Sequence, residues 1–171
     1  KSQTSTADSQ SLLKLSFWMA IMLVALDQFS KYVIDLIIGP GRSRSDYWMI
    51  DEHLGFEYVR NAGIAFGIDL GGERLTTAIV GLAFIAVTVI FWKVAPKDNV
   101  TAVGAGLLIG GAIGNLIDRV RFNAVVDFIA LGPWPRFNFA DTAIVIGVIL
   151  LAWSASERFG HIPANEETIE P

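Results

Sequence analysis

Four stretches of the chain are almost continuously apolar, and polar segments of very unequal length separate them. The first covers residues 12–38, longer than the roughly 20 residues an α-helix needs to cross a bilayer's hydrocarbon core. The others cover residues 75–95, 100–118 and 139–156. This pattern predicts an all-α membrane protein, a bundle of four transmembrane helices in one domain over residues 12–158. Residues 1–11 are small and polar and read as a mobile tail, and residues 159–171 as a second tail. The first apolar run lacks a small-residue cleavage site, so it reads as an uncleaved span.

The connections differ sharply. Pro96-Lys97-Asp98 gives only a short turn, whereas residues 39–74 and 119–138 form long connections. Gly39-Pro40-Gly41 stops the first helix. Beyond it lie two aromatic and β-branched pieces, Tyr47-Trp48-Met49-Ile50 and Phe56-Glu57-Tyr58-Val59, separated by Leu54-Gly55; they predict two short strands. Further strand is expected around Val125 and Ile129. Asn61-Ala62-Gly63-Ile64-Ala65-Phe66-Gly67 reads as a tight turn at Gly63, with the Asn61 amide placed to align an extended peptide. Trp18 and Trp92 read as interfacial anchors.

Polar residues interrupt the spans at helical spacing. Asp27, Lys31 and Asp35 recur at i, i+4, i+8 on one face, as an intramembrane ion pair that locks packing, as part of a site, or as both. Gly106, Gly110 and Gly114 follow the same spacing and predict close backbone approach between helices. Asn115, Asp118 and Arg119 then crown the third span. An even number of spans puts both termini and the Pro96 turn on one side. The crown, the long connections, Asp127 and Asp141 fall on the other.

Composition narrows the chemistry. Of the 171 residues 53% are hydrophobic, and the mean hydropathy is +0.50. Cysteine is absent and only His53 and His161 occur, which removes thiol nucleophiles, disulfides and the familiar zinc signatures. The net charge of −4 is small and argues nothing about nucleic acid, and no basic block suggests phosphate tracking. Charge does not orient the chain: one side carries Lys1, Lys14, Lys93, Lys97 and Arg158, the other seven arginines.

Asp127 and Asp141 stand out because both lie among apolar residues, where a carboxylate is costly to hold. Two adjacent carboxyl groups share one proton. Such a pair can hydrolyse a peptide: the ionised member takes a proton from water while the protonated member donates to the carbonyl oxygen. Asn138-Phe139-Ala140-Asp141 predicts a helix start with Asn138 as N-cap. The helix N-terminus favours negative charge, so Asp141 is expected ionised and Asp127 protonated.

Five motifs in order, Asp27-Gln28-Phe29-Ser30-Lys31, Asn61-Ala62-Gly63-Ile64-Ala65-Phe66, Gly111-Ala112-Ile113-Gly114-Asn115-Leu116-Ile117-Asp118-Arg119, Val125-Val126-Asp127-Phe128 and Phe137-Asn138-Phe139-Ala140-Asp141, resemble those of lipoprotein signal peptidase, the type II signal peptidase of bacteria. The resemblance implies an aspartic endopeptidase that cuts a prolipoprotein signal peptide before a diacylglyceryl-modified cysteine, with Asp127 and Asp141 as the catalytic dyad. By motif match, Asp27, Lys31, Asn61, Gly63, Asn115, Arg119 and Asn138 line or support the site. It further implies no cofactor, no metal, a multi-pass protein of the bacterial inner membrane and a monomer in contact with membrane lipid. Both termini would be cytoplasmic. The site would face the periplasm, beside a small β-cradle built from the two outer connections. Three other readings compete: a carboxylate proton or ion pathway, a non-catalytic scaffold, and a serine/lysine peptidase. The last is weakened because Ser30 and Lys31 are adjacent and point apart on a helix.

Overall fold

A computed structural model describes residues 2–39, 48–49, 53–63, 72, 75, 78, 81–82 and 96–159. Its elements are α1 (Ser2–Ile38), β1 (Trp48–Met49), β2 (Leu54–Asn61), α2 (Asn99–Phe122), β3 (Val125–Leu131) and α3 (Phe139–Phe159). The expected span at 75–95, with Trp92, lies almost wholly outside the described residues. Among the described residues, three helices are long and apolar enough to cross a membrane. The described residues are mostly helical, with one small sheet.

Two boundaries differ from expectation. The segment read as an N-terminal tail is helical back to Ser2. No Pro or Gly interrupts it, and extending an existing helix avoids the cost of nucleation. Leu54 and Gly55 do not separate two strands but open β2.

α2 packs along both α1 and α3, which meet each other much less. Its start is fixed by Asp98, whose Oδ1 accepts from the Thr101 backbone at 2.7 Å while the Thr101 hydroxyl accepts from the Asp98 backbone at 3.2 Å. This reciprocal box satisfies two amides that have no partner inside the helix. The expected close approach is real. A Cβ on Gly106 would lie 2.6 Å from Met19 Cβ, and one on Gly110 would lie 2.8 Å from the Ala20 carbonyl. Facing α3, a Cβ on Gly111 would lie 2.5 Å from the Ala140 carbonyl. In lipid, where burial of apolar surface drives little, such contact lets dispersion hold helices together. The outward faces carry Phe17, Trp18, Met22, Val145, Ile149 and Trp153, all exposed.

α2 ends on Asn123, left-handed at φ 54°, whose N–H bonds the Arg119 carbonyl at 2.9 Å. Asparagine tolerates this conformation better than other non-glycine residues. Only Ala124 then separates the cap from β3, so β3 starts directly above the crown of α2. The sheet is antiparallel in the order β1-β2-β3. Between Phe56 and Val59 its register shifts, giving β2 an extra residue. The bulge brings Val59 opposite Asp127. Alternation along the strand then puts Asn61 on the Asp127 face.

Candidate active site

Asp127 and Asp141 arrive from different elements, β3 and the first turn of α3, and meet at Asn138. After β3 the chain turns at Gly132 and comes back, with Phe137 bridging Ile129. Asn138 follows and caps α3. Its Oδ1 accepts from the Asp141 backbone at 2.9 Å, and its own N–H donates to Asp141 Oδ2 at 3.1 Å. The capping role expected of Asn138 is therefore present, and Asp141 completes it from the third helical position. The same asparagine also donates from Nδ2 to Asp127 Oδ1 at 2.8 Å. One fully buried residue thus touches both carboxyl groups, that of Asp127 through its side chain and that of Asp141 through its backbone N–H.

Each acid has a second donor. Asn61 Nδ2 donates to Asp127 Oδ2 at 3.0 Å, and Asn115 Nδ2 to Asp141 Oδ1 at 2.8 Å. Asn61, expected to align a peptide, therefore spends its amide on Asp127. Its Oδ1 accepts from the Gly63 N–H at 3.0 Å, and Arg119 Nη2 donates to the Gly63 carbonyl at 2.9 Å. The turn at Gly63 is thereby tied to the crown of α2; Ile64, Ala65 and Phe66 lie outside the described residues.

The two acids sit in unequal surroundings. Asp127 is only 2% exposed, and burial, followed by the negative charge of Asp141, pushes its carboxyl up to about 7. The amides of Asn61 and Asn138 and the charge of Lys31 oppose the rise without cancelling it. Asp141 is half-buried and lies at the positive end of a helix dipole. Burial thus favours the neutral form of Asp127, beside the less buried Asp141.

Beneath the acids lies a buried ionic cluster. Lys31 Nζ is 2.8 Å from Asp27 and 2.9 Å from Asp118, and donates to Asn115 Oδ1 at 3.1 Å. The ion pair expected within α1 forms, but its third charged member is Asp118 of α2. Asp35 is exposed, because its position one turn closer to the helix end carries it past the crown. Asp118 and Gln28 were not singled out as site residues. The available signal was their place in motifs whose neighbours were selected, and a lone lysine matched with acids on a buried face.

Of the nine residues predicted from the sequence, all but Gly63 and Arg119 are joined to Asp127, Asp141 or Lys31 by hydrogen bonds or ion pairs; Gly63 is joined through Asn61, and Arg119 through the Gly63 carbonyl. Among the described residues, the buried positions towards the far ends of the helices include Ala20, Leu23, Ala102, Ala105 and Gly110, with Ser16, Thr101 and Ser154 as buried polar members.

Comparison with known proteins agrees in both sequence and shape. A curated lipoprotein signal peptidase of Moorella thermoacetica is 37% identical over 153 residues, covering 90% of this chain and 97% of that protein. Another, from Syntrophomonas wolfei subsp. wolfei, is 41% identical over 138 residues, covering 80% and 90%. A solved structure described as a bacterial membrane enzyme superimposes with a TM-score of 0.73 at 32% identity, covering 91% of this chain and 93% of its own. The sequence profile of the family described as Signal peptidase (SPase) II matches residues 19–156. A chain matched over that length, built from apolar helices and similar in shape to membrane enzymes, is a multi-pass membrane peptidase and belongs to the signal peptidase II family.

Proposed function

We propose that this peptidase removes the signal peptide of a prolipoprotein by cleaving before its diacylglyceryl-modified cysteine, with Asp127 and Asp141 as the catalytic dyad. The observation that carries the reading is the shared asparagine: Asn138 bonds Asp127 Oδ1 at 2.8 Å and Asp141 Oδ2 at 3.1 Å. The names of relatives matched over nearly their whole length supply the substrate class.

The chemistry follows from the unequal acids. Asp141, ionised, takes a proton from water, and the water oxygen attacks the scissile carbonyl carbon. Asp127, neutral, gives its proton to the carbonyl oxygen, so the intermediate is an uncharged gem-diol. Asp141 then passes its proton to the leaving nitrogen, the C–N bond breaks, and Asp127 regains a proton from a hydroxyl of the gem-diol. Each proton has a donor and an acceptor, and no covalent enzyme intermediate forms.

The surroundings suit a lipid-linked peptide. The outward helix faces are apolar, and the β2–β3 sheet stands beside the acids as a cradle for extended backbone. In this reading the chain works as a monomer with four spans in the bacterial inner membrane. Residues 75–95 supply the second span, the dyad faces the periplasm and both termini are cytoplasmic. A cleavage assay in lipid tests it, comparing lipid-modified and unmodified prolipoprotein with the parent, Asp127→Asn and Asp141→Asn. We expect turnover of the modified substrate only, and a loss of at least about 10²–10⁴-fold in each variant. Residual activity near the parent's in either variant would refute the dyad.

A further inference from the structure

We propose that Asp27, Gln28, Lys31 and Asp118 form a bracket that sets the spacing of the two dyad acids, with Gln28 and Asp118 as positioning residues. The inference rests on the dyad reading above and concerns how that dyad is held. Asp27 Oδ1 accepts the Ala140 N–H at 3.1 Å, and Asp118 Oδ2 accepts the Val126 N–H at 3.1 Å. Ala140 directly precedes Asp141, and Val126 directly precedes Asp127. Each carboxylate of the bracket therefore holds the backbone N–H of the residue just before one dyad acid.

The two grips are tied together. Lys31 Nζ spans the carboxylates at 2.8 and 2.9 Å. Gln28 Nε2 does the same with neutral donors, at 3.2 Å to Asp27 Oδ2 and 3.0 Å to Asp118 Oδ1. All four carboxylate oxygens thus have a donor. Asp27, Lys31 and Asp118 are nearly fully buried, where such a network is rigid only if every member is satisfied. One lysine cannot neutralise two carboxylates. The neutral amide of Gln28 and the two backbone amides meet the excess, and Gln28 is the only donor in the structure to Asp118 Oδ1 among the described bonds. The third Lys31 donor reaches Asn115, which bonds Asp141. α1 makes no described hydrogen bond to either dyad carboxyl, yet it fixes both through these contacts.

Such an arrangement acts on geometry. A displacement of about 1 Å in a catalytic constellation costs on the order of 10²-fold in rate. The test is Gln28→Met, which keeps length and helix preference but removes both donors. The expected result is a fall in kcat of about 10–100-fold with KM within about threefold. The alkaline limb of kcat/KM should also move to lower pH. Asp127 faces Asp141 from α3, Lys31 from α1, Arg119 from α2 and the amides of Asn61 and Asn138; moving it away from the Asp141 charge makes its ionisation easier. Gln28→Glu is the second variant. Its introduced carboxyl donates while protonated and repels Asp27 and Asp118 once ionised, so activity is retained at acid pH and the alkaline limb steepens beyond tenfold per unit. An unchanged kcat and limb in Gln28→Met, with only Tm lowered, overturns the bracket; should that variant not fold, a parent-like limb in Gln28→Glu does so. Asp127→Asn and Asp141→Asn run alongside: turnover in either refutes the dyad, whereas their inactivity beside a parent-like Gln28→Met refutes the bracket alone.

Discussion

In its first turns α2 meets its neighbours through glycines, and in its last turns through charges. The glycine half, with Gly104, Gly106, Gly110 and Gly111, puts backbone against backbone at distances a methyl group would violate. The polar half, with Asn115, Asp118 and Arg119, reaches α1, α3, β3 and the Gly63 turn through hydrogen bonds and ion pairs. Dispersion along the glycine seam is non-directional; it fixes how close helices lie and leaves side-chain angles open. Hydrogen bonds in a buried network fix direction as well. One helix thus separates holding the bundle from aiming the acids. Gly114 marks the border, since a Cβ there would lie 2.6 Å from Asp27 Oδ2.

The separation breaks most visibly at Lys31. Lys31→Met leaves Asp27 and Asp118 facing each other without a cation, and losing one partner of a buried pair costs about 3–5 kcal/mol. We expect a large fall in Tm together with at least about 10²-fold loss of kcat, because Asn115 is freed at the same time. Thermal unfolding in detergent and single-turnover cleavage measure the two losses.

A change of pH sharpens the contrast without a mutation. Asp127 titrates near 7 in the folded chain, against about 3.9 for an unperturbed aspartate. Below the lower value it is protonated folded or unfolded. Between the two, only the folded chain keeps the proton, so its contribution to stability is present at low pH and shrinks as pH rises through about 7. Activity follows the same proton: kcat/KM is expected to fall about tenfold per unit above about 7. A pH–rate profile flat to pH 9 would contradict this assignment.

The smallest effect is expected on the seam. Gly106→Ala forces a methyl to 2.6 Å from Met19 Cβ and 2.7 Å from the Ser16 carbonyl, an overpacking cost of about 1–3 kcal/mol. Per folded molecule, kcat should stay within about twofold, and the alkaline limb should not move. A shifted limb would show that the seam also aims the acids.

Much of this division was legible in the sequence. The i, i+4, i+8 glycines announced the seam, and the apolar flanks of Asp127 and Asp141 announced costly carboxylates. Asn138 was readable as an N-cap because its offset from Asp141 is that of a capping pair. Less could be read of what joins segments far apart. Lys31 had acids at both i−4 and i+4 on its own helix, and helical spacing cannot say that the second is displaced by Asp118 from another helix. The bulge in β2 was equally silent, since neither Phe56 nor Val59 carries a turn signal, yet it decides which face Asn61 shares. Leu54-Gly55 misled for the opposite reason: a glycine that usually breaks a strand here lies inside the start of one.

Asp141 closes the first turn of α3 with the same carboxylate that the proposed reaction uses. Fraying of that turn therefore disarms the enzyme while its bilayer-crossing body stays intact. Backbone amide exchange at Asp141 becomes a direct gauge of the fraction of molecules ready to react. Mild heat or a harsh detergent can silence such a catalyst reversibly, well before the bundle comes apart.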